Sequence, residues 1–542
     1  MTTGTSRRGF LAGAATGGAL ATGLLPELAH AQAPRSAAAS TGIGPSDVLP
    51  SDRRYRDLVR GWNGRFVGDP DYVTVAGSTE QVAEALARAV AQGKRLAVRS
   101  GGHCLENFVS NPDVRVVLDV SQLRSIRWDQ RHRAVVVEPG CSLRDVYKTL
   151  HTAWGVTVPG GACPSVGAGG HIAGGGYGPL SRRYGVVPDH LYAVEVVTVD
   201  RSGTPRTVLA TREPRDPNRE LWWAHTGGGG GNFGVVTKYY LRSADARGND
   251  PTTLLPRAPE QSRTVRYVFP WAALNEQGFS RLLRGYISWH AEHSAPGSPY
   301  TRLFADLWGL HVNTAPGVTL NVTVDPSESD HESLLAGFRS DVVDQVGVTP
   351  VVSETVLPWL QSVWAAGYAD TGAVVGRRNK SKGTYLRASY TDAQLSTTYR
   401  YLTATDLRAP MAGVLLGGFG GRANVPGPDD TAVPQRDSVL KVLHTVHWDN
   451  PSQDERHLSW VRNFYRDVHA ATGGVPEVDG EVEDGSYINY ADVDVADPAW
   501  NESGVAWQRF YYKDSYERLR QVKGRWDPRN VFRHALSVEL PS

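Results

Sequence analysis

A cysteine without a partner motif lies in the stretch GGACPSVGAGGHIAGGGYG, residues 160–178, the longest of three glycine-rich runs in this 542-residue chain. The other two are Gly101-Gly102, which lead directly into His103 and Cys104, and Gly227 to Gly231. Glycine at such density costs backbone entropy on folding, so the runs need a purpose that offsets it. Bare backbone lets amide groups approach a phosphate or a planar ring closely. Flexible linkers are the alternative, but linkers mix serine with glycine between domains. These runs are flanked by apolar strand patterns and carry Pro159, Pro164, His171 and Tyr177. They read as ligand-contacting loops.

Two nucleotide signatures fail. A GxGxxG string occurs at Gly229 to Gly234, yet the strand-like VVTKYYL follows where a dinucleotide fingerprint needs a helix. A phosphate-binding loop of the Walker type needs lysine after its last glycine, and Gly174 is followed by Gly175. Cys104, Cys141 and Cys163 are the only cysteines, an odd and sparse set that is no disulfide framework. There is no CxxC pair and no HExxH helix, so no metal site is expected.

The elements that must position these loops are legible. STEQVAEALARAVAQG (78–93) predicts a helix with a capping box, Ser78 with Gln81, an apolar face through Val82, Ala85, Leu86 and Ala89, and a stop at Gly93. RLAVRS, VRVVLDV and AVVVEPG read as short strands, the first running straight into Gly101. SLRDVYKTLHTAWG (142–155) predicts a helix opened by Ser142. The glycine-rich run comes next, then the strand LYAVEVVTVD (191–200). Together these give an α+β unit over 66–243, a second sheet-plus-helix unit over 244–470, and a closing segment over 471–542 rich in aromatic and acidic residues.

Net charge is +1 with 21% charged residues, which argues against a nucleic-acid partner held by a basic face. The N-terminus reads as a twin-arginine export leader over 1–35: Arg7-Arg8, a short Gly- and Ala-rich apolar run, then Ala29-x-Ala31. A linker and N-terminal helix over 36–65 follow it. No segment is apolar enough to span a membrane, and the expected location is extracellular.

VRSGGHCLENF, GGACPSVGAGGHIAGGGYGPLSRRYG, LWWAHTGGGGGNFGVV and the terminal YINYADVD with WDPRNVF resemble the berberine-bridge-enzyme-like FAD-linked oxidases, of the vanillyl-alcohol-oxidase flavoprotein fold. The likeness runs from about residue 66 to the C-terminus. Within the family it is nearest to exported actinobacterial oxidases of glycosylated or polyketide natural products. The resemblance implies a PCMH-type FAD-binding domain, a substrate domain with an antiparallel sheet backed by helices, and a C-terminal segment returning to the first.

It further implies FAD tethered twice, by His103 to the 8α-methyl group and by Cys163 to carbon 6 of the ring. Neutral imidazole and thiolate are nucleophilic enough for such additions. Cys104 is a rival tether whose side chain turns away from His103 if the stretch is extended, and Cys141 is expected only to pack. The diphosphate would lie on the loop of Arg99, Ser100, Gly101 and Gly102. Gly167, Gly169, Gly170, Gly174, Gly175 and Gly176 would line the same cleft. His171 either hydrogen-bonds the cofactor or is a satisfied loop histidine. Tyr490, the second tyrosine of Tyr-x-Asn-Tyr, would take the hydroxyl proton, with Tyr487 and Asn489 supporting it or the flavin. A free phenol ionises near pH ~10, so that role demands a neighbour that lowers it, and no motif supplies one.

Two positions depart from the family pattern: Ala162 replaces a frequent tyrosine, and Phe419 falls where natural-product oxidases often carry a second tyrosine. The implied reaction is oxidation of a secondary hydroxyl or sugar carbinol in a glycosylated or polyketide natural product, or an oligosaccharide, with dioxygen as acceptor. Oxidative ring closure or use of another acceptor is the enzymatic alternative. A flavin- or saccharide-binding protein without turnover is the third reading.

Overall fold

A computed structural model of the protein describes residues 45–365 and 367–542. The expected leader therefore lies outside the described residues, as does the first part of the linker. Three sheets carry the architecture. The first has the order Ser46–Val48, Tyr72–Val75, Val116–Asp119, Leu96–Arg99, with the last three strands parallel. The helix Thr79–Ala91 crosses over it, capped by the Ser78 hydroxyl, which accepts from the Gln81 amide. Its apolar face, Val82, Ala85, Leu86 and Ala89, packs on Leu96, Val116 and Leu118. The strand Leu96–Arg99 thus ends at the sheet margin and releases the chain into the Gly101–His103 turn.

The second sheet is fully antiparallel, in the order Ile126–Asp129, Ala134–Val137, Val235–Leu241, Leu191–Val199, Pro205–Thr211. The helix Leu143–Trp154 packs beside it through Leu143, Val146, Tyr147 and Leu150. Ser142 and Asp145 form a reciprocal capping box at its start, and Gly155, at φ +68°, ends it. The same N-terminus anchors the glycine-rich run: the Leu143 amide donates to the Val166 carbonyl, and the Ala168 amide donates to the Cys141 carbonyl, both at 2.8 Å. Removing the cap therefore loosens the site's support. Ser142→Ala is expected to cost about 1 kcal/mol in a denaturant titration, the usual worth of a capping hydroxyl.

The glycine-rich run is not loop throughout. Residues Ala168–Ala173 form a short helix despite two glycines, each about 1 kcal/mol less favourable there than alanine. Tertiary contacts outweigh propensity: Ala168, Ile172 and Ala173 are buried, and Tyr239 donates its hydroxyl to the Gly169 carbonyl at 2.7 Å.

The third sheet has seven antiparallel strands, ordered Val351–Pro358, Gln261–Pro270, Gly317–Val324, Phe304–Leu310, Met411–Gly418, Leu440–Trp448, Arg378–Leu386. Helices Glu276–Glu292, Asp392–Thr403 and Asp454–Val468 bury one face of it through Leu282, Tyr286, Leu395, Leu402, Val461 and Phe464. The opposite face lines the central cavity. Among the described residues no helix is long and apolar enough to cross a membrane.

Candidate active site

The three glycine runs meet on one cavity of about 940 Å³, at the upper end of the range for small-molecule sites. Gly101 and Gly167 join two of them backbone to backbone. A Cβ on either would lie 2.4 Å from the other's amide nitrogen, so only glycine fits. The third run is pinned from the C-terminus: the Lys523 ammonium donates to the Asn232 carbonyl at 2.8 Å and pairs with Asp527 at 2.7 Å. Through Asp527 that contact ties the GGGGGN run to the WDPRN segment.

Arg99, Ser100, Gly101, Gly102, His103, Cys163, Gly167, Gly169, Gly170 and His171 all line the cavity, with Tyr487, Asn489 and Tyr490 on another wall. Gly170 faces open space, with nothing within 4 Å of a Cβ position. Gly174, Gly175 and Gly176 do not belong to the wall. Their missing side chains make room instead for Asn489, Val433 and the His171 ring, respectively. The expectation that these three line the cleft is corrected on that ground: the close approach they permit is to protein.

His103 is held by its neighbours. Its ring stacks on Trp62 at 5.6 Å and 21°, and its Nε2 lies 2.9 Å from the Ser165 hydroxyl. With Nε2 engaged, Nδ1 is the nitrogen left for other chemistry. Burial pushes the imidazole down to about 4, against the pull of Asp370, so the ring is neutral at physiological pH. Cys163 lies two residues before Ser165. Burial pushes its thiol up to about 12, and Asp370 adds to this, while an amide hydrogen bond from Ala369 favours the thiolate. The segment 367–370 links the two residues. Gly367 passes over the Ala162–Cys163 backbone, where a Cβ would meet the Ala162 carbonyl at 2.6 Å. The Ala369 carbonyl accepts from the Trp62 indole at 2.9 Å, and Asp370 accepts from the Ser165 amide at 3.4 Å.

Cys104 bonds inward to the amides of Glu106 and Phe108, and burial raises its thiol to about 11. This agrees with a side chain turned towards its own loop. Cys141 is fully buried in the core beneath the Leu143 helix. His171 lies on the cavity wall: its Nε2 accepts from the Gly161 amide at 3.0 Å, and burial lowers it to about 4. That leaves its proton on Nδ1. Its carbonyl accepts from Asn489, which also donates to the Tyr487 hydroxyl at 2.8 Å.

Tyr490 shares a hydrogen bond of 2.8 Å with the Tyr177 hydroxyl. Burial pushes Tyr490 up to about 12, opposed by this bond, in which Tyr177 donates to a Tyr490 anion. Tyr177 itself is raised further, by burial and by the same partner. Behind the pair stands Lys441, 2% exposed. Its ammonium nitrogen is 3.5 Å from the Tyr177 ring centre and 3.6 Å from that of Tyr487, with Tyr385 and Phe419 at 4.6 Å. Among the described residues no carboxylate pairs with it. Burial, and next the charge of Arg436, lower its pKa well below the usual lysine range. Phe419 lies in this cage and not on the cavity wall. Its ring is edge-on to Tyr177 at 5.9 Å.

A buried ionic cluster fixes the Tyr490 wall to the His103 loop. Lys380 pairs with Glu106, three residues after His103, and with Asp492, two after Tyr490, the latter at 2.7 Å. Lys382 pairs with Asp492 and, at 3.0 Å, with Asp494, which Arg462 also holds at 2.8 Å.

Residues 70–208 match the model of an FAD binding domain, and 486–539 match the berberine and berberine-like model. Over 546 aligned residues the chain is 48% identical to the aclacinomycin-N/aclacinomycin-A oxidase of Streptomyces galilaeus, covering 99% of this chain and 98% of that one. This chain belongs to the berberine-bridge-enzyme-like FAD-linked oxidases. Hexose oxidase of Chondrus crispus is 29% identical over 91% of this chain and 94% of its own. Among solved structures, aclacinomycin oxidoreductase superposes with a TM-score of 0.88 at 49% identity, covering 92% of this chain and 99% of that one. A glycopeptide hexose oxidase complexed with teicoplanin gives 0.87 at 47%, with the same coverage.

As a member of this family the chain is an FAD-dependent oxidoreductase of the PCMH superfamily. The residues present suit the cofactor. The glycine-floored cavity, open at Gly170, admits a planar ring, while a neutral imidazole and a thiol stand at its wall. Sequence reading missed Lys441, Ser165, Asp370 and Trp62. Of these only Lys441 left a signal, a lone charge in the apolar run VLKVL.

Proposed function

We propose that this enzyme is an exported alcohol oxidase that holds FAD covalently through His103 and Cys163. In this reading it oxidises a secondary hydroxyl or sugar carbinol of a bulky natural product or saccharide, with dioxygen as acceptor and hydrogen peroxide as product. The observation that carries it is the Tyr490–Tyr177 hydroxyl pair beside Lys441, on the same cavity as His103 and Cys163. Bound FAD supplies the hydride acceptor. The chain's own task is to take the carbinol proton. Tyr490 Oη receives it as an anion, Tyr177 stabilises that anion by donating its hydrogen bond, and charge on Lys441 lowers the cost of holding it in a buried site. The relatives named for a hexose and for a glycopeptide hexose support a substrate of that kind.

The test begins with denatured protein. Flavin colour should remain with the wild-type chain, and Cys163→Ala should keep a singly tethered flavin with a shifted absorption spectrum. His103→Ala should likewise keep only the bond at Cys163, and the double variant should release all flavin on denaturation. A Cys163→Ala spectrum identical to wild type removes the second tether from the proposal. Export by the twin-arginine leader is checked by sequencing the N-terminus of secreted protein, expected to begin just after Ala31.

A further inference from the structure

Two motifs carry acids to which the oxidase reading gives no part. Glu106 lies in VRSGGHCLENF, three residues after His103, and Asp492 and Asp494 lie in YINYADVD, just after Tyr490. All three are buried, as are Lys380 and Lys382 of the stretch NKSKG. A buried charge is costly unless it is paired and hydrogen-bonded, and here the pairing is shared. Lys380 binds Glu106 and, at 2.7 Å, Asp492, while Lys382 binds Asp492 and, at 3.0 Å, Asp494. Arg462 closes the set with two guanidinium nitrogens on Asp494, at 2.8 and 3.0 Å. The Asp492 carboxylate is engaged on both oxygens and also accepts from the Asp494 amide at 3.1 Å.

The strand Arg378–Leu386 turns this pairing into a mechanical link. It is the last strand of the seven-stranded sheet, and the C-terminal segment runs along its margin, where the Tyr385 amide donates to the Gly485 carbonyl at 2.9 Å. Side chains alternate between the two faces of a strand. Gly383 stands opposite Leu443, on the cavity face, and a Cβ there would lie 3.0 Å from the Tyr490 Cβ. Lys380 and Lys382 therefore project from the other face, towards the helix Asp454–Val468 that carries Arg462. Residues 490–494 pass around the sheet margin from one face to the other. Tyr490 is seated at one end of this passage, and Asp492 and Asp494 are gripped at the other. The loop after His103 is tied to the same strand twice. Glu106 reaches Lys380, and the Asn63 amide donates to the carbonyls of Leu105, at 2.8 Å, and Asn379, at 3.0 Å. Lys380 is bonded to both walls at once, yet does not line the cavity.

We propose that Lys380 is a positioning residue for the oxidation: by holding Glu106 and Asp492 together it sets Tyr490 against the loop that carries His103, and so fixes the base relative to the flavin which that loop anchors. The proposal rests on the alcohol-oxidase reading above and adds what places its proton acceptor. Stability alone does not call for the ions, because well-packed apolar side chains serve as well as, or better than, a buried ion pair. Charge adds register. A lysine bridging two carboxylates holds few arrangements, whereas apolar contacts slide, and a reacting group must be held within about 0.5 Å of its productive place. The cluster does for Tyr490 what Trp62 and Ser165 do for His103 at the other wall.

The experiment compares holoenzyme of wild type, Lys380→Met, Lys380→Arg and the double variant Glu106→Gln with Lys380→Met, using glucose as the substrate probe. Flavin retained by the denatured chains should be equal in all four. Crystal structures read placement directly, as the separation of Tyr490 Oη from His103 Nδ1. Lys380→Met should change this separation by about 1 Å and slow anaerobic flavin reduction about 10²-fold, the cost of a misplacement on that scale, with the Kd for glucose kept within about twofold. Lys380→Arg, which can bridge the same carboxylates, should restore the separation and most of the rate. The double variant should behave as Lys380→Met; it keeps the cluster's charge balanced and carries the test if the single variant does not fold. An unmoved Tyr490 in the methionine variants, or a moved one with wild-type reduction, overturns the positioning role. So does an equal rate loss in Lys380→Arg with Tyr490 in place. A moved Tyr490 in an enzyme whose wild type glucose does not reduce upholds the positioning and refutes the sugar-oxidase form of the reading.

Discussion

Tyr490→Phe should slow substrate-driven flavin reduction by about 10² to 10⁴, the range for losing a positioned general base, while leaving flavin content and fold in place. The phenyl ring keeps its packing against Gly383 and Tyr487, and the hydroxyl's one recorded bond is to Tyr177. The structural cost is therefore confined to a Tyr177 hydroxyl left without its partner, about 1–3 kcal/mol. Anaerobic stopped-flow reduction measures the rate, and absorbance of the denatured protein measures loading. Tyr177→Phe provides the comparison. It removes a donor to the anion but not the proton acceptor, so its effect should be the smaller of the two. Unchanged reduction in Tyr490→Phe would remove this residue from the chemistry.

Why Tyr490 was legible and its partners were not is a matter of distance along the chain. His103, Cys163 and Tyr490 each sit inside a compact motif, and residue type together with local glycine points to chemistry. The capped helices at 79–91 and 143–154 were equally plain, because capping and 3.6-residue periodicity are local properties. Lys441 acquires its meaning only from four rings contributed by residues 177, 385, 419 and 487, an arrangement set by strand register across two sheets. Asp370 and Ser165 meet His103 through turns that no periodicity marks.

The glycine run shows the opposite fault, since too much was legible in it. Density of glycine announces a close approach without saying to what. Gly101 and Gly167 approach each other, Gly170 faces the cavity, and Gly174 to Gly176 face protein side chains. Cys163 carries a related lesson. It lines the cavity, but burial keeps it a thiol, with the Ala369 amide favouring the thiolate. Reactivity there depends on surroundings that composition does not encode.

Lys441→Met should move the pH dependence of flavin reduction upward and lower the rate at neutral pH by roughly 10², the population change for a phenol pKa raised by about two units. The sign follows from which protons must leave. In the proposed reaction the reactive form has an anionic Tyr490, and the Lys441 ammonium stands 3.5 Å from the ring centre of Tyr177, the residue that donates to that anion. In that reaction lysine and phenol share one proton, so the first proton lost from the two opens access to the reactive form, and the rate rises with pH to a plateau. Because burial, together with Arg436, holds Lys441 well below its usual range, this rise begins well below the pH at which either group would titrate in water. With methionine, similar in length and apolar, Tyr490 must ionise without a cation nearby, with the Tyr177 hydrogen bond as its remaining aid. The rise then moves to the alkaline edge of the accessible range. Lys441→Arg separates charge from shape: a guanidinium that fits the cage keeps the cation–π contacts but does not lose its proton. Its profile should keep one alkaline-going limb, set by the phenol alone and lying below that of the methionine variant. Superimposable profiles for wild type and Lys441→Met would show that the buried lysine is a packing element and that Tyr490 draws its basicity from elsewhere.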